Sequence, residues 1–334
     1  MRVTENSTFR LLQNNLQRIN QRRETLYNQG SSGLKLNVAS DDPTAIRPVL
    51  TTRSQLRHID RYLETMGVTS DKMKAVDSRL AGVEDVLQRA KELGINAINS
   101  SLSGDDLNTI ADQIAQMRAE LLDTANTSID GKYVFAGYQE NTQPFSANPN
   151  YDPAAYNPAD STTWPYIYNG DANPTQLEIG PGEYLEATLT GNELFLGVSN
   201  ANWANGSTPA GGQPEVGRVD IFSTLTRLEE AVRAGNFTDA SGPGGGVQQQ
   251  LANLDTAASQ EQRLRGQMGG RAARVDTAMA HQATAQSDLK QLLSRYQDTD
   301  AIDNFSAITQ QESALQAALN ITAKVAGISI LDYL

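Results

Sequence analysis

The stretch that decides the fold runs from Gln248 to Tyr296: QQQLANLDTAASQEQRLRGQMGGRAARVDTAMAHQATAQSDLKQLLSRY. It contains no proline. Leu251, Leu254, Ala258, Met268, Ala272, Val275 and Met279 fall on one stripe, and Gln286, Leu289, Leu293 and Tyr296 continue it. Steps of three and four place side chains on one narrow helical seam. At 1.5 Å per residue such a helix is roughly 70 Å long. A single seam of that length cannot be buried by one helix, so the chain must supply other long helices beside it.

Those helices are legible on both sides. Phe9, Leu12, Leu16 and Ile19 repeat the rhythm near the start. Met73, Val76, Leu80, Val83 and Leu87 follow, then Leu107, Ile110, Ile114, Met117 and Leu121. Near the end come Phe305, Ile308, Leu315, Leu319, Thr322 and Ala326. Gly30-Ser31-Ser32-Gly33 and Gly242-Pro243-Gly244-Gly245-Gly246 read as loop or hinge text. Asp41-Asp42-Pro43 reads as a capped helix start. Pro48 would break the first turns after it, which moves the expected start further along.

Between the helical flanks the text changes. Residues 138–215 hold nine of the 12 prolines, both tryptophans and no Lys or Arg. Their nine acidic residues supply most of the net charge of −12. Ile167, Leu177, Ile179, Leu185 and Leu189 sit among Gly, Pro and Asn, and Tyr166-Ile167-Tyr168 before Asn169-Gly170 reads as a strand entering a tight turn. The zone reads as a folded β-rich insert, although a disordered Asn/Pro linker suits residues 148–161. The expected architecture is mainly α: a long antiparallel helical bundle or coiled coil formed by the two flanks, interrupted by the insert. The divisions are 1–32 (N-terminal assembly helix), 33–137 (first half of the bundle), 138–215 (insert), 216–297 (second half) and 298–334 (C-terminal assembly helix).

The ends complement each other in charge. Residues 1–30 carry five arginines against Glu5 and Glu24, a net +3; residues 298–334 carry five acids against Lys324, a net −4. Exposed ion pairs are worth only ~0–1 kcal/mol each, so charge can bias the pairing while apolar seams hold it. Phe9, Leu12, Leu16, Ile19, Phe305, Ile308, Leu315, Leu319 and Leu331 are the expected assembly seam. Leu11, Ala314, Leu315, Ala318, Val325, Ile328 and Ile330 would remain an open apolar face on a single copy, which calls for neighbouring copies. Single copies are expected to have loose ends.

Composition excludes several functions. The acidic balance opposes generic nucleic-acid binding. Cysteine is absent, and His58 and His281 are the two histidines, which removes thiol chemistry and His-rich zinc sites. No phosphate-binding loop, dinucleotide fingerprint or metalloprotease motif occurs. Glu183 and Glu186 are close enough in sequence to suggest a glycosidase pair, but strand neighbours three apart face opposite ways, so solvated surface acids are the better reading. Calcium binding at Asp171 and Glu178 lacks the ligand loop it needs. Tyr138, Tyr151, Tyr156, Tyr166, Tyr168, Trp164 and Trp203 form either the core of the insert or an exposed glycan-binding face, and the core is the expectation. No cofactor, metal or catalytic residue is expected. No apolar run approaches the ~20 residues of a membrane span, and the N-terminus lacks the pattern of a cleaved signal.

Several segments together resemble the flagellin superfamily, and within it the hook-associated family of the hook–filament junction. These are Gly33-Leu34-Lys35-Leu36-Asn37-Val38-Ala39-Ser40-Asp41-Asp42-Pro43, Asp130-Gly131-Lys132-Tyr133-Val134-Phe135-Ala136-Gly137, Tyr168-Asn169-Gly170-Asp171 with Leu177-Glu178-Ile179-Gly180, and the tail from Ala314 to Leu334. The resemblance implies a structural, non-enzymatic part of the bacterial flagellum outside the cell, a ring of copies adapting hook to filament. It implies contacts with the first hook-associated protein and flagellin. It also implies type III export without a cleaved signal, and a FlgN-type chaperone on the C-terminal helix. A filament flagellin is the alternative within the superfamily; a surface glycan-binding appendage is the alternative outside it.

Overall fold

A computed structural model describes residues 2–38, 40–99, 102–204, 214–238 and 245–331. The mainly-α expectation is met. The long helices are α1 (Arg2–Ser32), α2 (Pro43–Asn99), α3 (Gly104–Ala125), α6 (Ile221–Arg233), α7 (Val247–Gln297) and α8 (Ala301–Leu331), with short α4 (Gly191–Leu194) and α5 (Asn200–Ala204) between. The chain divides into two compact units, Met1–Arg61 with Ala283–Leu334, and Tyr62–Gln282. No described helix is long and apolar enough to cross a membrane.

The larger unit is built around the seam read from the sequence. Met73, Val76, Leu80, Val83 and Leu87 of α2 are buried with Leu254, Leu264, Met268 and Val275 of α7. Gly94 marks a close approach: a Cβ there would lie 2.8 Å from Leu251 Cδ2. Helix α3 packs on α6, and ion pairs tie their outer faces: Arg118 to Glu229 at 2.6 Å and Arg233 to Asp112 at 2.7 Å. Helix α3 starts with a capping box in which Ser103 accepts from the Asp106 amide while the Asp106 carboxylate accepts from the Ser103 amide. The Ser103 hydroxyl, donating to the carboxylate at 2.7 Å, and then the Ser103 amide hold the Asp106 carboxyl below its usual range. Ser103→Ala should cost about 1 kcal/mol, seen as faster hydrogen exchange in the first turn of α3 with the rest of the unit unchanged.

A hairpin follows α3: β1 (Ser128–Ile129) pairs with β2 (Lys132–Tyr133), with Ile129 opposite Lys132. The two linking residues, Asp130 and Gly131, have φ of 54° and 76°, as the tight two-residue hairpin turn demands. Two further antiparallel pairs form the insert. β3 (Phe145–Ala147) pairs with β4 (Tyr166–Tyr168), and β5 (Gln176–Gly180) with β6 (Glu183–Glu186). The strand expected at 166–168 is therefore present, and Leu177, Ile179, Leu185 and Leu189 point inward.

The insert has an aromatic core. Phe145 stacks within 5.1–5.3 Å of Tyr168, Phe195 and Phe222. Trp164 and Tyr168 are buried, and the Tyr168 hydroxyl donates to the Phe135 carbonyl at 2.8 Å. Tyr151, Tyr156, Tyr166 and Trp203 are half-buried, and of the seven rings Tyr138 alone is exposed. The rings fill the core and do not form a face. Residues 148–161 are no disordered linker. Asn148, Asp152, Asn157 and Asp160 each accept, through a side-chain oxygen, the backbone amide two residues ahead, at 2.9–3.0 Å. Four consecutive Asx turns replace strand ladders where prolines forbid them.

Two local expectations are corrected. Gly30, Ser31 and Ser32 are helical, and α1 ends only at Gly33, whose φ of 72° makes it the helix-terminating glycine. Helix α2 begins at Pro43 and carries Pro48 within it. The Asp42 carboxylate accepts from the Thr44 and Ala45 amides and the Ile46 amide already pairs with the Asp42 carbonyl, fixing the start, so Pro48 removes a single rung of an established ladder. The expectation for Glu183 and Glu186 holds: both are exposed surface acids, and at the surface they pair with Arg274 (3.0 Å) and Arg271 of α7. The cations missing from the insert are supplied by the helix it packs on.

Candidate assembly interface

The smaller unit centres on α1 and α8, which run antiparallel. Moving along α1 from Ile19 to Leu26 meets Gln311 and then Asn304: Gln311 Nε2 donates to the Ile19 carbonyl (3.2 Å), and Asn304 Nδ2 to the Leu26 carbonyl (3.1 Å). The Tyr27 hydroxyl donates to Glu312 at 2.5 Å, and this bond raises the phenol above its ordinary value. Gly30 explains itself here. A Cβ at that position would lie 2.7 Å from Asn304 Nδ2, so its role is close approach to α8 and not hinging.

Beyond the helices a short clasp closes the pair. Leu34 bridges Asp298, the Lys35 amide donates to the Gln297 carbonyl (2.8 Å), and the Thr299 amide donates to the Gly33 carbonyl (3.0 Å). Lys35 Nζ also reaches the Arg295 carbonyl at 3.0 Å, a cation on the last turn of α7. Leu26 and Leu36 are buried beside this clasp level. The expected charge attraction takes another form. Among the described residues no ion pair links α1 to α8, and the contacts between them are hydrogen bonds and apolar packing. Arg10, Arg18 and Arg22 of α1 are exposed to water, where a pair gains little.

The anticipated seam residues divide into two sets. Leu12, Leu16, Ile19, Ile308 and Leu315 are half-buried on the facing stripes of α1 and α8. Phe9 is 53% exposed, Phe305 73% and Leu319 51%, so these three point away from the pair. Leu331 ends α8, and its side chain lies outside the described residues, as do those of Val325, Ile328 and Ile330. Leu11, Ile302 and Ile321 join the exposed apolar set at 62%, 81% and 53%. Of the open face expected at Leu11, Ala314, Leu315 and Ala318, the first two are exposed and the last two are half-buried. Sequence reasoning passed over Leu26, although it extends the Leu12–Leu16–Ile19 stripe by seven residues. It also passed over Asn304, whose burial no periodicity announces.

A two-helix pair thus buries one stripe per helix and leaves apolar side chains on its flanks. Such flanks are what a neighbouring helix covers. The unit offers no cluster of three or more acids and histidines that could hold a metal among the described residues.

Comparison with known proteins accounts for this arrangement. Residues 3–140 match the bacterial flagellin N-terminal helical region. Flagellar hook-associated protein 3 of Escherichia coli is 23% identical over 308 residues, spanning 91% of this chain and 90% of that protein. These likenesses run over most of the chain's length and point to the flagellin-like hook-associated proteins as what it is similar to. The fold agrees. The crystal structure of hook-associated protein 3 from Legionella pneumophila superposes with a TM-score of 0.58 at 18% identity, covering 74% of this chain and 98% of that one. FlgL of Xanthomonas campestris gives 0.54 at 21% identity, covering 72% and 98%.

Proposed function

We propose that this chain is a structural component of the bacterial flagellum that assembles into a ring at the hook–filament junction. The observation that carries the proposal is the α1–α8 pair, which leaves Phe9, Leu11, Ile302, Phe305 and Leu319 exposed on a single copy. In this reading those flanks are covered by the same pair of neighbouring copies. On one side of the ring the neighbour is the first hook-associated protein, on the other flagellin. Full-length kinship with hook-associated protein 3 supports the junction over the indefinitely growing filament. The role is mechanical and not catalytic: the ring adapts hook to filament through packing.

The division into an N-terminal assembly helix, a two-part bundle, an insert and a C-terminal assembly helix follows the same reading. The seam of α8 is also the surface a FlgN-type chaperone would hold before export through the flagellar type III channel. Deleting the coding region tests the placement. Cells that keep hooks and shed flagellin monomers into the medium are the expected result. Cells without filaments and without shed monomers would identify the chain as the filament subunit instead.

A further inference from the structure

Glu261 occupies an unusual position. It lies on α7 in the larger unit, is fully buried, and neither of its carboxylate oxygens has a hydrogen-bond partner. The natural partner is one turn along the same helix, at Arg265. That guanidinium is committed elsewhere. Its Nε reaches Asp77 Oδ1 at 2.8 Å, a second nitrogen reaches Asp77 Oδ2 at 3.3 Å, and the third reaches Glu84 Oε2 at 3.1 Å. Gln262, the next donor along, is spent on the other oxygen of Glu84, at 3.1 Å. The charged groups acting on Glu261 are therefore Asp77 and Glu84 of α2 and Arg265 of α7. Three carboxyls share one cation, and the one inside has nothing.

We propose that Glu261 is a proton-operated weak point of the α2–α7 pairing: protonated, it lets the two helices close, and ionised, it loosens them at this level. A buried carboxylate without donors is costly, and two acids nearby add repulsion that one already engaged arginine does not cancel. Burial and the neighbouring acids push its carboxyl up to about 7. The sign follows. A carboxyl that binds its proton more tightly folded than unfolded adds stability below its unfolded range, and that stability is lost as pH rises through its folded value. The helix pair is tightest in acidic medium and loosens as pH rises from 4.5 to about 7, with little further change above. Asp220, the fully buried cap of α6, is also pushed up to about 7 by burial, but it accepts from the Phe222 amide and bonds Ser223, so it acts at a different level of the fold.

The test is hydrogen exchange with mass spectrometry on the full chain at pH 5.5 and 8.0, corrected for intrinsic exchange. Peptides covering 77–87 and 257–268 should lose protection by on the order of tenfold between the two conditions. Glu261→Gln should erase most of that loss and protect the same peptides better than wild type at pH 8.0. Asp220→Asn should leave the pH dependence of these peptides in place. Protection in wild type that does not change with pH overturns the proposal even if the variant fails to fold. So does a Glu261→Gln protein with undiminished pH dependence.

Discussion

Leu319→Glu is expected to leave the monomer intact and abolish its assembly. Leu319 is 51% exposed on α8, and its side chain leans away from the stripe that meets α1. A charge at such a position changes the stability of one copy by about 0.5 kcal/mol or less. Covered by a neighbour, the same carboxylate would be buried without a partner, at a cost of several kcal/mol per contact, ~3–5 in comparable cases. Every copy in a ring carries the substitution, so the penalty repeats around it. Circular dichroism should show wild-type helix content and Tm, while the complemented deletion strain should remain without filaments. Ile308→Glu is the matched contrast. Ile308 is half-buried against α1, with a side-chain carbon 3.7 Å from where a Gly30 Cβ would stand. That substitution should disturb the helix pair in the monomer itself. Filaments in the Leu319→Glu strain, or a Tm loss there as large as for Ile308→Glu, would remove the assembly face from the proposal.

The second large effect is expected in the insert. Phe145→Ala removes a fully buried ring that touches Tyr168, Phe195 and Phe222 and lies against Gly191, where a Cβ would meet Phe145 Cε2 at 2.7 Å. The packing is close enough that little can move in to fill the space. Aromatic truncation in such cores costs ~3–5 kcal/mol. The backbone bonds survive the substitution, the Phe145 amide donating to Asn126 Oδ1 at 2.9 Å and its carbonyl accepting from Asn126 Nδ2 at 3.0 Å, so the measured loss reports the ring alone. Thermal unfolding should fall by many degrees, and Trp164 fluorescence should shift towards the exposed value. A drop below ~1 kcal/mol would mean that the insert is held by its Asx turns and its ion pairs to α7 rather than by its rings.

Much of the architecture was legible. Long helices announce themselves because a 3–4 apolar rhythm persists over many turns, unbroken in Met73 to Leu87 and interrupted only by Glu261 and Arg265 between Leu251 and Met279. The insert announced itself through the reverse: prolines, missing cations and the 166–168 strand. Local punctuation was read less well. Glycine at position 30 has one appearance in the sequence and two meanings, hinge or close approach, and only Asn304 on the other helix decides between them. Pro48 seemed to push the helix start further along because propensity is local, whereas the Asp42 cap and the packing of Val49 carry the helix through it. Glu183 and Glu186 are exposed as their sequence suggested, but their arginine partners, 85 to 91 residues further along the chain, could not be read from it.

The same division holds for the assembly seam. Amphipathic spacing named Leu12, Leu16, Ile19, Ile308 and Leu315 together with Phe9, Phe305 and Leu319, since all lie on the apolar side of their helices. Which of them face the partner helix and which face outward depends on the rotation of α8 against α1. That rotation is set by Gly30 meeting Asn304 and by the clasp from Gly33 to Thr299. Periodicity along a chain is a property of neighbours in sequence and survives without a fold. Facing, and with it the orphaned carboxyl of Glu261, is a property of groups brought together from distant positions, and exists only once the helices have packed.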